Sequence, residues 1–231
     1  MKSVAQGKIF LADQRGVKQT HQLKRWSTFN FEDFNDVNKT AIDRLYLLND
    51  DHLAGWQRTA FEIAKDSYVF VLPITGAVNY ADDKDNETDI DVEEALIVFA
   101  ENGTRVRLTN PFKNDVVNYL CICLKADEIA PNTPQFFRFD LTKGNELLKV
   151  NANSLPFKFS IGRFDGRKEA TVHLSFTSTF YAFVISGAFE VDGRLLHEKD
   201  GLALWDTNKI ELEALSNNAI ILTIEIFSQA Y

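Results

Sequence analysis

The chain has 231 residues, of which 45% are hydrophobic and 25% are charged, as is typical of a folded protein and not of a disordered one. Its net charge of -8 argues against general affinity for nucleic acid or anionic membranes, because phosphate groups require a positive surface. No apolar run approaches the ~20 residues that cross a bilayer, and the first residues lack the apolar segment of a signal peptide. We therefore expect a cytoplasmic protein with one large or two small domains.

The residue usage favours strands over helices, with 19 Phe, a single Met and many β-branched residues. Within residues 96–108, Asn102-Gly103 separates two strand-like runs and predicts a hairpin. Within residues 182–196, Asp192-Gly193 predicts a second hairpin, because both turn positions need positive φ angles. Residues 171–176 alternate with period two and residues 219–227 form an apolar run, so both predict further strands.

The two cysteines, Cys121 and Cys123, are two residues apart. On a strand, this spacing places both side chains on the same face but makes them poor disulfide partners. We expect them to be reduced and packed in a core.

Residues 82–94 form the most acidic segment of the chain. The segment can be aligned with a calcium-binding loop that begins at Asp83, but Thr88 stands where such a loop needs Gly. The favoured interpretation is a solvated hairpin between two strands, and a weak divalent-cation site is the alternative.

Residues 127–134 are the best candidate for a domain boundary, since they contain two of the five prolines. This boundary predicts an N-terminal domain over residues 1–130 and a C-terminal domain over residues 131–231. Residues 74–78 and 185–189 have similar sequences, which indicates two copies of one β-barrel or sandwich.

Five stretches form an ordered set of motifs: Gln14-Arg15-Gly16, residues 26–31, residues 45–51, Gly76-Ala77-Val78 and residues 181–205. Together they resemble the pirin family, which includes the pirin-type quercetin 2,3-dioxygenases. The resemblance implies an all-β fold of two tandem cupin barrels, also called jelly rolls. It also implies that the first strand packs onto the second barrel.

Metal-containing members of that family use a His-Pro-His pair, a later His and a Glu in the first barrel. Counting back from Gly76 places Glu62-Ile63-Ala64 at the His-Pro-His pair, and the later motif falls around residues 116–118. The four histidines are His21, His52, His173 and His197. None lies between residues 53 and 172, so we predict a degenerate site with no metal and no cofactor.

The second barrel also lacks the family's ligand pattern. Counting from Gly187 places Val172 and Leu174 at the ligand positions, while strand parity directs His173 to the opposite face. We expect no metal there either.

Three residues are candidates for ligand binding in the first barrel. His52 lies in a turn-like run at the expected mouth of the barrel, where an exposed loop histidine is the favoured interpretation and a ligand-binding or acid-base role is the alternative. If the barrel is kept while its ligands are replaced, Glu62 and Tyr68 would project into the former metal cavity, where they could hydrogen-bond a small polar ligand. The favoured interpretation is that bulkier neighbours such as Phe61, Phe70 and Phe99 fill this space.

The function expected from the sequence is non-catalytic binding of a small molecule or a protein partner by a metal-free relative of the pirins. The alternative is a quercetinase-type oxygenase with a non-standard metal site, built from His52 and acidic residues or from ligands shared across a dimer. A purely structural or regulatory interaction protein is the third hypothesis.

Overall fold

The computed structural model describes residues 5–130, 133–151, 154–175 and 177–227. The chain divides into an N-terminal unit, Arg15–Arg138, and a C-terminal unit, which combines Met1–Gln14 with Phe139–Tyr231. Within the described residues the sole helical element is a 3-10 turn over Ala12–Gln14. No helix there is long and apolar enough to cross a membrane.

The N-terminal unit consists of two antiparallel sheets and follows the strand β1 (Gln6–Phe10), which belongs to the C-terminal unit. Its strands are β2 (Gly16–Gln19), β3 (Leu23–Ser27), β4 (Leu45–Leu53), β5 (Arg58–Glu62), β6 (Ser67–Thr75), β7 (Val78–Ala81), β8 (Glu87–Ile90), β9 (Glu94–Ala100), β10 (Arg105–Thr109), β11 (Val117–Lys125) and β12 (Gln135–Arg138). The seven-stranded sheet has the order β12-β9-β6-β11-β4-β3-β2, and the four-stranded sheet has the order β5-β10-β7-β8.

The C-terminal unit repeats this arrangement. Its remaining strands are β13 (Leu148–Lys149), β14 (Phe157–Phe164), β15 (Glu169–His173), β16 (Thr179–Ser186), β17 (Phe189–Val191), β18 (Arg194–Leu196), β19 (Gly201–Trp205), β20 (Lys209–Ala214) and β21 (Ala219–Ile226). The six-stranded sheet has the order β1-β19-β16-β21-β14-β13, and the four-stranded sheet has the order β15-β20-β17-β18.

The internal repeat predicted from residues 74–78 and 185–189 is confirmed by the topology. The order β9-β6-β11-β4 in the first unit corresponds to β19-β16-β21-β14 in the second. Gly76 and Gly187 follow β6 and β16, and both have positive φ. The predicted all-β fold of two tandem barrels is therefore confirmed.

Each unit has a core that is built from inward-facing residues of both of its sheets. In the N-terminal unit, Val69 and Val71 of the wide sheet share a core with Val106 and Leu108 of the narrow sheet. In the C-terminal unit, Ala182 and Val184 share a core with residues of β17 and β20. Alternate residues along each strand therefore decide what lines the interior of each barrel.

The two predicted hairpins have different outcomes. Asp192-Gly193 joins β17 to β18, in which Val191 pairs with Arg194, so this hairpin is confirmed. The hairpin at Asn102-Gly103 is wrong, because β9 pairs with β6 and β12 whereas β10 pairs with β5 and β7. This turn carries the chain from one sheet to the other, and local turn chemistry does not distinguish the two cases.

The compact units are not divided where the sequence placed its boundary. They change over between Gln14 and Arg15 and between Arg138 and Phe139, whereas the prediction used residues 130 and 131. The reason is strand pairing, since β12 pairs with β9 and β1 pairs with β19. The expected packing of the first strand onto the second barrel is confirmed, and residues 131–132 of the predicted linker lie outside the described residues.

The acidic segment contains a hairpin between β7 and β8, as the favoured interpretation predicted. At its turn, Asp82 Oδ1 accepts hydrogen bonds from the backbone N–H groups of Lys84 and Asn86. Cys121 and Cys123 are free and buried in the core of the N-terminal unit, as expected.

Candidate functional site

A buried ionic network occupies part of the interior of the N-terminal unit. Leu23, Arg25 and Ser27 alternate as the buried residues of β3, and Arg25 is in register with Asp51 of β4. Because register partners point to the same face, the guanidinium and the carboxylate meet inside the barrel.

The network is held by short, charge-assisted hydrogen bonds. Arg25 Nε donates to Asp51 Oδ1 at 2.7 Å, and Arg25 Nη2 donates to Asp51 Oδ2 at 2.6 Å. The hydroxyl of Tyr119, on β11, donates to Asp51 Oδ2 at 3.0 Å. The side chains of Arg25 and Asp51 are 2% and 0% exposed, so this is a fully buried bidentate pair.

Burial and charge fix the protonation of this network. Burial alone lowers the pKa of Arg25, but the hydrogen bond and the charge of Asp51 outweigh it, and the pKa lies above its ordinary value. Burial, followed by the charge of Asp51, raises the pKa of Tyr119 well above its ordinary value. The phenol therefore remains a proton donor to Asp51, and the guanidinium remains charged.

One end of the guanidinium is not satisfied within the described part of the chain. Arg25 Nη1 is buried and makes no hydrogen bond there, although Glu32 Oε1 lies 3.6 Å away. Asn49 Oδ1 is also buried without a hydrogen-bond partner among these residues, and Asn49 is in register with Ser27. Buried groups of this kind are uncommon and call for an explanation, such as a missing ligand or water.

A pocket of about 280 Å³ opens beside Arg25 in the N-terminal unit. It is lined by Gly16, Val17, Lys18, Arg25, Ser27, Phe31, Glu32, Asp33 and Phe34. Lys18 Nζ donates to Glu32 Oε2 at 2.7 Å. The pocket thus combines aromatic residues with charged ones, and Arg25 Nη1 is a cationic donor that makes no hydrogen bond to the described residues.

His52 lies on β4 and not in a turn, so that part of its prediction is wrong. Strand β4 continues through Leu53, which pairs with Leu23 and Val117 on its two sides. The His52 side chain is 40% exposed, and its Nε2 lies 4.0 Å from Asp50 Oδ1. Its ring packs edge-on to Trp26 with centroids 5.2 Å apart, outside the core that contains Leu47 and Leu53.

Glu62 and Tyr68 do not project into the barrel, contrary to expectation. Phe61 and Ile63 are the core residues beside Glu62, which is itself exposed. Val69 is the core residue beside Tyr68, which is partly buried and packs edge-on to Phe99 at 5.8 Å. The cause is strand parity, because counting positions from Gly76 does not establish which alternate residues face inward.

The favoured interpretation of a filled cavity is confirmed in part. Phe61 lies in the core of the N-terminal unit, whereas Phe70 and Phe99 are buried outside that cluster. Phe61 also packs edge-on to Phe31, with centroids 5.9 Å apart.

The interior of the N-terminal unit does not suit a divalent metal ion. At the expected ligand motifs, Phe61 of β5, Ile63 just after it and Val117 at the start of β11 are core residues. The buried carboxylate of Asp51 is already engaged by a permanent cation, which would repel a metal. Among the described residues, no group of three or more His, Cys, Asp or Glu side chains is arranged to hold a metal.

In the C-terminal unit, the predicted strand parity is confirmed. Val172 packs against the core and Leu174 belongs to it, whereas His173 is exposed. The two positions matched to metal ligands are therefore occupied by aliphatic side chains.

Comparison with known proteins covers both units. Residues 143–226 match the family described as "Quercetinase C-terminal cupin domain". The chain is 25% identical over 224 residues to quercetin 2,3-dioxygenase of Escherichia coli, a match that covers 91% of this chain and 95% of that protein. The crystal structure of YhhW from E. coli superposes with a TM-score of 0.84 at 20% identity, covering 98% of this chain and 100% of YhhW.

The chain is similar to the pirin-like bicupins in sequence and in fold. A structure of bacterial pirin YhhW in complex with nickel(II) has a TM-score of 0.82 at 20% identity and covers 97% of this chain and 100% of YhhW. A quercetin 2,3-dioxygenase from Acinetobacter baumannii has a TM-score of 0.72 at 11% identity, covering 97% of this chain and 88% of that structure. At these identities the likeness extends to the fold and not to the chemistry of the site.

The sequence prediction missed the Arg25–Asp51–Tyr119 network, although a signal for it is present. Leu23 and Ser27 flank Arg25 at a spacing of two, and Leu47 and Leu53 do the same for Asp51 at spacings of four and two. Two opposite charges on the apolar faces of two strands predict a buried pair, provided that the strands are recognised as neighbours.

Proposed function

We propose that this pirin-like bicupin binds a small molecule in its N-terminal unit without a metal and without catalysing an oxidation. The observation that carries this proposal is the ionic network of Arg25, Asp51 and Tyr119 inside the barrel. A permanent cation in that interior disfavours a second cation, and the remaining inward residues near it are largely apolar.

The pocket beside Arg25 suits a planar ligand with an oxygen acceptor. Arg25 Nη1 supplies a buried, charged donor, which a carbonyl or phenol oxygen of a ligand would satisfy. Phe31 and Phe34 supply apolar ring surfaces on which a flat molecule can pack. His52, Glu62 and Tyr68 are not part of this pocket, so their roles as ligand-binding residues stay predictions.

The first experiment measures metal content and binding together. We expect substoichiometric iron, nickel, copper and zinc in protein purified without chelators. Quercetin, a flat compound with a ketone oxygen, serves as the probe in calorimetric titrations with and without EDTA. We expect the same affinity in both, and at a hundredfold excess over Kd a gain in stability of about 2.7 kcal/mol.

A pair of variants locates the binding. Phe34→Leu removes ring surface from the pocket and is expected to weaken quercetin binding, whereas Phe112→Leu changes a side chain that is 39% exposed and does not line the pocket. Equal affinity of both variants and the parent protein would place quercetin elsewhere. Absence of any quercetin binding would favour the protein-partner hypothesis.

A quercetinase-type oxygenase with a non-standard metal site is the second candidate. It is favoured by the name quercetin 2,3-dioxygenase carried by the E. coli relative, which is matched over nearly its whole length. Stoichiometric transition metal together with EDTA-sensitive oxygen consumption in the presence of quercetin would support this candidate and contradict metal-independent binding.

A further inference from the structure

The C-terminal unit contains a cavity of about 420 Å³ inside the mouth of its barrel. Both sheets contribute to its wall, through β14, β16 and β21 on one side and β15 on the other. Its apolar lining includes Leu147, Ala170, Val172 and Phe180. The first three of these pack against the core of the unit, and Phe180 belongs to it.

The inner wall of this cavity carries polar side chains at positions where the N-terminal unit has buried cysteines. Thr223 and Glu225 of β21 lie on the same inward face as the core residues Ala219 and Ile221. Ser160 of β14 is in register with Thr223. Counting register from Gly76 and Gly187, Thr223 and Glu225 occupy the positions of Cys121 and Cys123. The C-terminal unit therefore has a hydroxyl and a carboxylate at the two positions where the N-terminal unit has buried thiols.

The carboxylate is fixed and deeply placed. Glu225 is 6% exposed, and its Oε1 accepts a hydrogen bond from the Ser175 backbone N–H at 2.8 Å. The Ser178 hydroxyl lies 3.0 Å from the same Oε1 and shares its proton between this atom and the Ser175 carbonyl oxygen at 2.6 Å. Because two donors converge on Oε1, the side chain is held in one orientation against the cavity wall, and Oε2 is left for a further donor.

A cation lines the same wall. Lys158 is in register with Glu225 across the β14–β21 pair, so their Cβ atoms are about 5 Å apart. Among the described residues, the side chain of Lys158 forms neither an ion pair nor a hydrogen bond. The opposite charges of Lys158 and Glu225 thus face one cavity without forming an ion pair with each other, and Glu146 and His173 also line it.

We propose that this cavity binds a small zwitterion of the amino-acid type with an apolar side chain. The ammonium group of the ligand contacts Glu225, its carboxylate contacts Lys158, and its side chain packs against Val172 and Phe180. A ligand with both charges satisfies both groups, whereas a simple amine or a simple acid leaves one of them unpaired.

The test uses L-leucine and its two truncated analogues, 3-methylbutylamine and 4-methylpentanoate, as probes in ligand-observed NMR titrations of the full chain. We expect leucine to bind about tenfold or more tightly than either analogue, since each analogue loses one charge-assisted contact. Equal binding by either analogue would overturn the zwitterion assignment, and absence of leucine binding would overturn the proposal.

Variants of the two charged residues give the second readout. Glu225→Gln retains an acceptor for Ser175 and Ser178 while removing the charge, and Lys158→Met removes the ammonium while retaining much of its aliphatic length. Each is expected to weaken leucine binding by about tenfold. The control Lys168→Met alters an exposed lysine outside the cavity and is expected to leave binding unchanged.

Folding and the other proposed site are monitored in the same samples. Circular dichroism and thermal unfolding establish that each variant is folded, and a folded Glu225→Gln protein with unchanged leucine affinity would contradict the proposal. Quercetin binding beside Arg25 lies in the other unit and is expected to be unaffected by both variants. The two proposals therefore fail independently.

Discussion

At the scale of single residues, Asp50 and Asp51 on β4 are each neutralised by a different arginine. Asp51 faces inward to Arg25, whereas Asp50 Oδ2 accepts a hydrogen bond from Arg15 Nη1 at 3.3 Å. Asn118 Nδ2 also donates to Asp50 Oδ1 at 2.7 Å. Two of the motifs that resemble the pirin family, Arg15-Gly16 and Asn49-Asp50-Asp51, are therefore in direct contact and connect β4 to the start of the unit.

We expect Asp51→Asn to destabilise the N-terminal unit by about 3–5 kcal/mol, because it leaves the Arg25 guanidinium buried without its counter-charge. The measurement is urea denaturation of the variant and the parent protein. Asp83→Asn is the control, since the same chemical change is made at an exposed turn residue. A loss no greater than that of the control would show that Arg25 does not depend on Asp51.

At the scale of elements, four glycines have positive φ angles and lie in turns between strands: Gly76, Gly103, Gly187 and Gly193. The space around them differs. A Cβ atom at Gly187 would lie 2.4 Å from Ser216 Oγ and 2.8 Å from Ala219 Cβ, whereas one at Gly193 would meet nothing within 4 Å. Gly76 is crowded by Val117, and Gly103 is open. The crowded pair lies at equivalent points of the repeat, where the chain leaves the wide sheet for the narrow one.

Alanine substitutions at Gly187 and Gly193 distinguish the cost of backbone strain from the cost of side-chain crowding. We expect Gly193→Ala to cost about 1–2 kcal/mol, from the left-handed backbone alone. Gly187→Ala is expected to cost about 1–3 kcal/mol more, because Ala219 is packed in the core and has little room to move. The measurement is the denaturation midpoint of each variant, and equal midpoints would show that the turn after β16 relaxes freely.

Strand existence was predictable from the sequence, and strand partnership was not. Alternation and turn residues correctly predicted β17, β18 and β21, because these signals are local. The Asn102-Gly103 turn has the same local signal as Asp192-Gly193 yet joins two sheets, since the long-range pairing of β9 with β6 decides its partner. The same long-range information places Glu62 outward and Arg25 inward, so the candidate site could not be assembled from spacing alone.

At the scale of the whole molecule, a short strand is added at the equivalent edge of each wide sheet. β12 follows the last long strand of the N-terminal unit and covers the edge of β9, while β1 covers the equivalent edge of β19. A covered edge lacks the unpaired N–H and C=O groups that promote aggregation. The equivalent sheet edge is therefore covered in both barrels, by β12 in the N-terminal unit and by β1, from the start of the chain, in the C-terminal unit.

The side chain of Phe10 is expected to hold β1 in place. Phe10 is 1% exposed and packs against Tyr181, with ring centroids 6.0 Å apart. We expect Phe10→Ala to cost about 3–5 kcal/mol and to speed amide hydrogen exchange throughout β19. Ile9→Ala on the same strand is the control, because Ile9 is 40% exposed and its truncation should leave exchange in β19 nearly unchanged.

The pairing of β1 with β19 has a consequence for folding during synthesis. Phe10 pairs with Gly201, so β1 leaves the ribosome long before its partner has been translated. At about 5–20 residues per second, this delay is roughly ten to forty seconds. During that time the earliest strand must remain unpaired and avoid the nascent N-terminal unit, which can complete its own sheets first.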